Sequence, residues 1–183
     1  KAFVGYLCKS YTAPLLDNNP NVNEIIRVDG GNFFDVLKKV KSFRFDCSVH
    51  FYMEPKSSLL TGLAGIPSRI GPFSKICSFL LTERIVQNRS KVEKHEAEYN
   101  LDIIKGCGAE GVSVPPEIFL SEAEKREGVQ ILKKVCGGLE AQPIIIHPGS
   151  RGSAATRPEQ YFLELAGKIS DGGELVVFTS GKG

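Results

Sequence analysis

The chain contains 183 residues, of which 42% are hydrophobic and 24% are charged, a balance typical of a folded globular protein with a sizeable apolar core. Its formal net charge of +2 creates no field that would require nucleic acid or an acidic membrane as a partner. No apolar run approaches the roughly 20 residues that a membrane span needs.

Strand-like and helical patterns alternate over the first 111 residues. Short strands or strand ends are predicted at 2–7, 25–28, 45–53 and 69–71. One helix is predicted after the capping residue Asn32, and a second from Lys56 to Ala64, where Gly65 ends it. Strands separated by helices need crossover connections, so we predict an α/β fold with mostly parallel sheets.

A third helix is predicted to open at a capping box formed by Ser90 and Glu93 and to end near Lys105. His95 would then lie on the face that Tyr99 also occupies. We therefore expect His95 to pack against the core or an interdomain seam, in preference to a chemical role.

Pro115 and Pro116 mark a candidate domain boundary, because paired prolines resist both helix and central strand. We predict a first Rossmann-like domain over 1–111, a linker with a connecting helix over 112–142, and a second domain from 143 to 183. The connecting helix is predicted to open at a capping box of Ser121 and Glu124. Because the chain opens and closes on strand-like runs, we expect an internal fragment in which both domains are incomplete.

Five cysteines are scattered along the chain without CxxC pairs, which favours reduced thiols, mostly in the core of a cytosolic protein, over metal or redox sites. They are Cys8, Cys47, Cys77, Cys107 and Cys136.

The strongest chemical signal is a strand, a glycine-serine loop and a helix start in succession. The β-branched run 144–146 is predicted to be a strand buried in a parallel sheet, and Thr156 with Glu159 predicts a third capping box. The loop 147–153 between them would direct backbone N–H groups and a positive helix end at an anion, phosphate above all. An ordinary polar loop is the alternative, and neither a GxGxxG fingerprint nor a P-loop fits.

The run Ile146-His147-Pro148-Gly149-Ser150, followed by Gly152-Ser153-Ala154 and Pro158, resembles the donor-site motif of lipopolysaccharide heptosyltransferases, glycosyltransferase family 9. Other stretches resemble that family in the same order and cover nearly the whole chain. They are Pro14-Leu15-Leu16, Asn19-Pro20 with Val22, Phe45-Asp46, Lys56-Ser57 to Leu60, Ala64-Gly65-Ile66-Pro67, Arg69-Ile70-Gly71, and His95 ahead of Leu101.

The resemblance implies a GT-B fold, in which two Rossmann-like domains face a cleft, the first holding the acceptor and the second the nucleotide-sugar donor, ADP-heptose. It implies an inverting glycosyltransferase that adds heptose to Kdo or heptose of the lipopolysaccharide inner core, in the cytoplasm at the inner-membrane surface. The acceptor would be of the lipid A-Kdo type. No nucleic acid, metal or cofactor is assigned beyond the donor as co-substrate.

The resemblance also assigns site residues. The donor- and phosphate-binding set is His147, Pro148, Gly149, Ser150, Arg151, Gly152, Ser153, Arg157, Thr179 and Gly181, and the acceptor-binding set is Lys56 and Ser57. A solvated helix start is the alternative for Lys56 and Ser57, and a solvated surface for Arg151. The aspartate base of relatives falls ahead of residue 1 and their Asp-Thr-Gly segment falls beyond residue 183, so no catalytic residue is assigned and we expect the fragment to be inactive.

One departure from the family bears on donor binding. Relatives carry Lys or Arg three residues before the proline matched by Pro158 and Trp just before it, whereas this chain has Ala155 and Arg157. A missing cation weakens diphosphate binding unless Arg157 or Arg151 substitutes. Ala155 thus favours the alternative of a degraded, non-catalytic homologue that at most binds nucleotide. A dehydrogenase lacks support, because no dinucleotide fingerprint is present.

Overall fold

The computed structural model describes residues 2–112, 114–138, 142–148 and 157–180. The chain divides into two compact units, Lys1–Phe119 and Leu120–Gly183. The predicted domain limits at 111 and 142 stay a prediction, because this division does not define a linker.

The first unit alternates strands and helices, as predicted. Its strands are β1 (Gly5–Cys8), β2 (Glu24–Arg27), β3 (Cys47–Val49), β4 (Ser68–Pro72) and β5 (Glu83–Ile85). Its α-helices are α1 (Phe33–Phe43), α2 (Pro55–Leu63) and α3 (Glu96–Lys105), with short 3-10 helices at Ala13–Leu16, Ile76–Leu80 and Arg89–Lys91. Strand β1 pairs with β2, and β3, β4 and β5 form a second sheet in that order. All of these pairings are parallel, which confirms the prediction of parallel sheets.

Helix α1 begins where the sequence predicts. The Asn32 side chain accepts hydrogen bonds from the backbone N–H groups of Phe34 and Asp35, at 2.9 and 3.1 Å, so it satisfies donors that the first turn leaves open. Val36 and Val40 are buried one turn apart on the inner face. The helix ends at Arg44, which adopts a left-handed conformation with φ of 50°.

The main core of the first unit lies between β2, α1 and α2. It contains the buried residues Ile26, Val36, Val40, Leu60 and Ile66. A smaller cluster joins Met53, Cys77 and Leu81. At the edge of the main core, a Cβ on Gly5 would lie 2.4 Å from Cζ of Phe45, so glycine is needed there for the ring to pack against β1.

Helix α3 begins later than predicted, and the capping box at Ser90 and Glu93 is wrong. Val92 ends a 3-10 helix in a left-handed conformation, with φ of 52°, and a continuous helix cannot pass through it. His95 caps α3 instead, since its Nδ1 accepts from the Ala97 N–H at 3.2 Å while the Glu98 carboxylate accepts from the His95 N–H at 2.8 Å. His95 is therefore exposed, so the prediction that it packs against the core is wrong, and its packing against an interdomain seam stays a prediction.

The cysteines are all free thiols, but the prediction that they are mostly core residues holds only for Cys77 and Cys136. Cys8 is half-buried, and Cys47 and Cys107 are exposed.

The second unit contains α4 (Glu122–Val135), β6 (Ile144–Ile146), α5 (Glu159–Asp171) and β7 (Val176–Phe178). The capping box of Ser121 and Glu124 at the start of α4 is confirmed. Strands β6 and β7 pair in parallel. None of the helices in the part of the chain that the structure describes is long and apolar enough to cross a membrane.

Two expectations about the second unit are wrong. Ile144 and Ile145 are exposed and only Ile146 is buried, so β6 is parallel but not enclosed. The N-cap of α5 is Pro158. Glu159 is therefore the first residue of the helix and cannot take the third position of a capping box; Thr156, its predicted partner, lies outside the described residues.

Candidate functional site

Two of the predicted donor-binding side chains meet at the carboxyl ends of β6 and β7. His147 directly follows Ile146 and Thr179 directly follows Phe178. The Thr179 N–H donates to the Ile146 carbonyl at 3.0 Å, which continues the strand pairing by one residue. His147 Nδ1 lies 2.9 Å from Thr179 Oγ1. Ligands of parallel sheets bind outside the carboxyl ends of the strands, and both side chains are exposed there.

The contact between His147 and Thr179 leaves one polar hydrogen outside it in either histidine tautomer. If the threonine hydroxyl donates to Nδ1, the proton of the neutral ring resides on Nε2. If Nδ1–H donates, the hydroxyl hydrogen of Thr179 is the one left over. The hydrogen bond therefore holds the His147 and Thr179 side chains in a fixed orientation. It leaves one hydrogen-bond donor that an anionic or hydroxylated ligand can use.

Arg157 lies at the amino-terminal end of α5, two residues before Glu159. Its guanidinium carbon is 5.6 Å from the centroid of the Tyr161 ring, a cation–π contact at an exposed position. Helix α5 has no side-chain cap, and its first turn presents the positive end of the helix dipole. Glu159 in the same turn supplies a negative charge, and Arg157 supplies a positive charge two residues ahead of it.

Of the other predicted donor residues, only Pro148 lies within the part of the chain that the structure describes. Pro148 follows His147 and is half-buried. Gly149, Ser150, Arg151, Gly152, Ser153, Ala155 and Gly181 lie outside the described residues. Their roles stay predictions from the sequence.

The predicted acceptor residues lie at the start of α2. Lys56 is exposed, and its Nζ donates to the Val28 carbonyl at 3.2 Å. Because Val28 directly follows β2, this contact places the ammonium group at the carboxyl end of that strand. Ser57 Oγ donates to the Glu54 carbonyl at 3.0 Å. Its hydroxyl hydrogen thus serves the helix start, which leaves the oxygen only as an acceptor.

A second polar pair occupies the carboxyl end of the β1–β2 sheet, and the sequence analysis missed it. The Asp29 carboxylate accepts from the Ser10 backbone N–H at 2.8 Å and from the Ser10 hydroxyl at 2.7 Å. The Ser10 hydroxyl is the main cause that lowers the pKa of Asp29 below its ordinary value. Asp29 directly follows the predicted strand 25–28, and that position was a signal that could have identified it.

His50 also follows a strand, but it is enclosed. Its Nε2 lies 3.1 Å from Thr61 Oγ1 and 3.4 Å from Ser48 Oγ. Burial lowers the pKa of His50, and the nearby Arg69 charge lowers it further. His50 is therefore a neutral side chain that fixes α2, and with it Lys56, against β3.

The part of the chain that the structure describes contains no group of three or more His, Cys, Asp or Glu side chains arranged to hold a metal ion.

The chain is similar to known glycosyltransferases. No protein-family model matches the chain. A Haemophilus influenzae protein named "Putative glycosyltransferase" is 29% identical over 97% of this chain and 54% of its own length. The solved E. coli ADP-heptose lipopolysaccharide heptosyltransferase II has a TM-score of 0.67 and 24% identity over 97% of this chain and 55% of that one. A glycosyltransferase family 9 protein from Veillonella parvula has a TM-score of 0.74 and 20% identity over 96% of this chain and 53% of that one.

The chain therefore has the α/β fold of the GT-B glycosyltransferases, as the resemblance implied. The resemblance to the heptosyltransferases of glycosyltransferase family 9 is confirmed by the same comparisons. The chain spans about half the length of these relatives.

Proposed function

We propose that the protein is an inverting glycosyltransferase that transfers heptose from ADP-heptose to Kdo or heptose in the inner core of lipopolysaccharide. The name of the E. coli structural neighbour, an ADP-heptose lipopolysaccharide heptosyltransferase, supports the choice of donor and acceptor. The transfer takes place in the cytoplasm at the surface of the inner membrane. Because the chain spans about half the length of its relatives, we expect it to lack transferase activity on its own.

Donor binding is assigned to the second unit. The loop 147–153 and the start of α5 bind the diphosphate through backbone N–H groups and the helix dipole, and Arg157 adds a positive charge. His147 and Thr179 donate a hydrogen bond to the nucleotide sugar. As the bond between the sugar and the diphosphate breaks, these groups stabilise the negative charge that the leaving ADP acquires.

Acceptor binding is assigned to the first unit. The exposed ammonium of Lys56 suits the Kdo carboxylate or a phosphate of the acceptor, and the Ser57 oxygen accepts from a sugar hydroxyl. A carboxylate removes the proton of the attacking hydroxyl, as in other inverting transferases. No residue of this chain is assigned to that step, and no metal or cofactor is assigned to the reaction.

The observation that carries the proposal is the contact of 2.9 Å between His147 and Thr179 at the carboxyl ends of two paired parallel strands. The two residues are separated by 32 positions in the sequence. The contact brings together two donor-binding residues that the family resemblance assigned separately, at the edge of the sheet where α/β proteins bind nucleotides.

Isothermal titration of ADP tests this assignment. The titrated proteins are a longer protein that contains this chain and has the length of the relatives, and its His147→Ala and Thr179→Val variants. One lost hydrogen bond contributes about 0.5–1.5 kcal/mol, so we expect roughly 2- to 13-fold weaker ADP binding in each variant. The double variant should lose less than the sum, because the two side chains form one contact. Ser170→Ala, an exposed hydroxyl in the last turn of α5, is the matched control. Unchanged affinity in both site variants would overturn the assignment.

The alternative, a non-catalytic homologue that at most binds nucleotide, is favoured by Ala155. Heptose transfer from ADP-heptose to a Kdo-bearing lipid acceptor separates the two functions. Transfer by the longer protein supports the enzyme, whereas ADP binding without transfer supports the alternative.

A further inference from the structure

Two exposed cysteines from distant parts of the sequence lie side by side in the first unit. Cys47 is the first residue of β3, and Cys107 lies two residues beyond the end of α3. Their Sγ atoms are 3.7 Å apart, although 60 positions separate them in the chain. Both residues are exposed, so a small oxidant in solution reaches them.

The backbone, and not a chance rotamer, brings the two thiols together. Cys47 is paired with Ser68 in the β3–β4 sheet. At the end of α3, a Cβ on Gly106 would lie 2.9 Å from Cγ2 of Ile70 in β4 and 2.9 Å from Oε1 of Glu83 in β5. Only glycine allows the end of α3 to approach the sheet this closely. Cys107 follows Gly106, and its Sγ lies 3.7 Å from that of Cys47, the first residue of β3.

The electrostatics give the two thiols different chemical roles. Partial burial of the sulfur and the hydrogen bond with Cys47 raise the pKa of Cys107 to about 11. Cys107 therefore keeps its proton at neutral pH. Because the thiolate is the nucleophilic form of cysteine, the first attack on an oxidant belongs to Cys47, and Cys107 is the resolving thiol.

We propose that Cys47 and Cys107 form a reversible disulfide when the protein meets hydrogen peroxide. The Cys47 thiolate attacks the peroxide; a sulfur–oxygen bond forms, the oxygen–oxygen bond breaks, and the leaving hydroxide takes a proton to become water. The sulfur of Cys107 then attacks the Cys47 sulfenic acid, the sulfur–oxygen bond breaks, and a second water leaves with the Cys107 proton. Two thiols are oxidised and one peroxide is reduced by two electrons.

The disulfide would stabilise the first unit without covering the candidate acceptor site. It ties the end of α3 to β3 at the amino end of that strand, whereas Lys56 lies beyond its carboxyl end. Closing a loop of this length restricts the unfolded chain, so we expect the thermal midpoint of the first unit to rise on oxidation and to return on reduction.

Peptide mapping tests the proposal directly on the unsubstituted protein. Trypsin places each of the five cysteines in a different peptide, with Cys47 in 45–56 and Cys107 in 106–125. After treatment with hydrogen peroxide and alkylation of the remaining thiols, we expect mass spectrometry to find 45–56 joined to 106–125 as the dominant linked pair. The link should disappear after dithiothreitol.

Variants separate the two roles. Cys47→Ser and Cys107→Ser should both lose the linked peptide and the shift of the thermal midpoint, and Cys107→Ser should accumulate a Cys47 sulfenic acid that dimedone traps. Cys8→Ser, which removes a half-buried thiol of the same unit, should keep the link. Three results would each overturn the proposal: a dominant link to another cysteine, a link between two molecules, or oxidation of Cys47 to sulfinic acid without a link. All three are measured on the unsubstituted protein, so they do not require that a variant folds.

Discussion

The two units of the chain differ in how much of their apolar surface they enclose. In the first unit Met53, Leu60, Ile70 and Ile103 are at most 2% exposed. Among the described residues of the second unit, the buried hydrophobic side chains are Cys136, Ile146 and Ala166. The first unit therefore has the larger enclosed core, and the second depends more on the pairing of β6 with β7.

The difference extends to whole elements. Helix α1 buries Val36 and Val40 against the sheet, whereas helix α4, although longer, has no buried residue. The unit with the larger core carries the candidate acceptor residues at its edge, and the less enclosed unit carries the candidate donor site. Stability and donor binding should therefore respond to different substitutions.

The largest expected effect comes from truncating a leucine in each unit. Leu60→Ala removes a side chain that is 2% exposed in the main core, and such truncations cost about 2–5 kcal/mol of unfolding free energy. Leu163→Ala is the matched variant in α5, where the side chain is 56% exposed, and a surface change typically stays within about 0.5 kcal/mol.

Hydrogen exchange with mass spectrometry during urea titration measures both effects, because its peptides report on residues 2–119 and 120–180 separately. Leu60→Ala should lower protection throughout the first unit, and Leu163→Ala should change little. If Leu60→Ala and Leu163→Ala lowered protection equally, the exposed Leu163 side chain would contribute as much to stability as the buried Leu60 side chain. The proposed difference between the two units would then be wrong.

The sequence predicted those parts of the fold that depend on local chemistry. Asn32 and Ser121 were placed correctly as helix caps, because a cap needs only its own side chain and the next turn. The donor-site residues His147 and Thr179 were instead assigned from the family resemblance, and each follows a strand-like apolar run in the sequence.

The predictions that were wrong or missing concern features for which two local patterns compete or for which tertiary contacts decide. Two candidate capping residues lie ahead of α3, Ser90 and His95, and the left-handed conformation of Val92 excludes the first. Pairing Asp29 with Ser10 required the register of β1 against β2, which no local pattern supplies. The apolar pattern of β6 predicted its parallel pairing but not its exposure, because burial depends on what covers the strand.

The donor site can be tested through the one predicted cation that the structure describes there, Arg157. If it compensates for Ala155, Arg157→Ala removes a charge-assisted hydrogen bond worth about 1.5–3 kcal/mol, or roughly a 10- to 150-fold loss of ADP affinity. Ala155→Lys in the same protein should restore much of the loss. Lys168→Ala, an exposed cation in the last turn of α5, is the charge-matched control. Calorimetry measures the ADP affinity of the longer protein in four forms: the parent, Arg157→Ala, the double variant with Ala155→Lys, and Lys168→Ala.

The alternative is that Arg157 only packs on the Tyr161 ring and does not bind ADP. In that case Arg157→Ala changes ADP affinity by no more than about 0.5 kcal/mol, and Ala155→Lys restores nothing. Tight ADP binding in the parent together with this result would refute the compensation, whereas no binding in the parent would favour the non-catalytic homologue.

The smallest expected effect is a pH dependence of stability that comes from His50, in the first unit. Burial lowers the pKa of His50 in the folded protein, while an unfolded histidine titrates near 6.5. Between those two values the unfolded chain binds a proton that the folded chain does not, so protons favour unfolding and stability rises with pH. The contribution of neutral His50 is complete above about pH 6.5 and is lost as the pH falls toward the lowered pKa.

The slope from a single proton cannot exceed about 1.4 kcal/mol per pH unit, and the carboxylates of the chain add slopes of their own below pH 5. Comparison of variants isolates the histidine: glutamine does not protonate but can still bond to Thr61, so His50→Gln should flatten the pH dependence of the first unit between pH 5 and 6.5. His147→Gln changes an exposed residue of the second unit and should leave that dependence unchanged. Urea unfolding of the parent and both variants at several pH values decides the matter. If His50→Gln keeps the slope of the parent, the enclosed neutral histidine is not what makes the packed unit acid-sensitive.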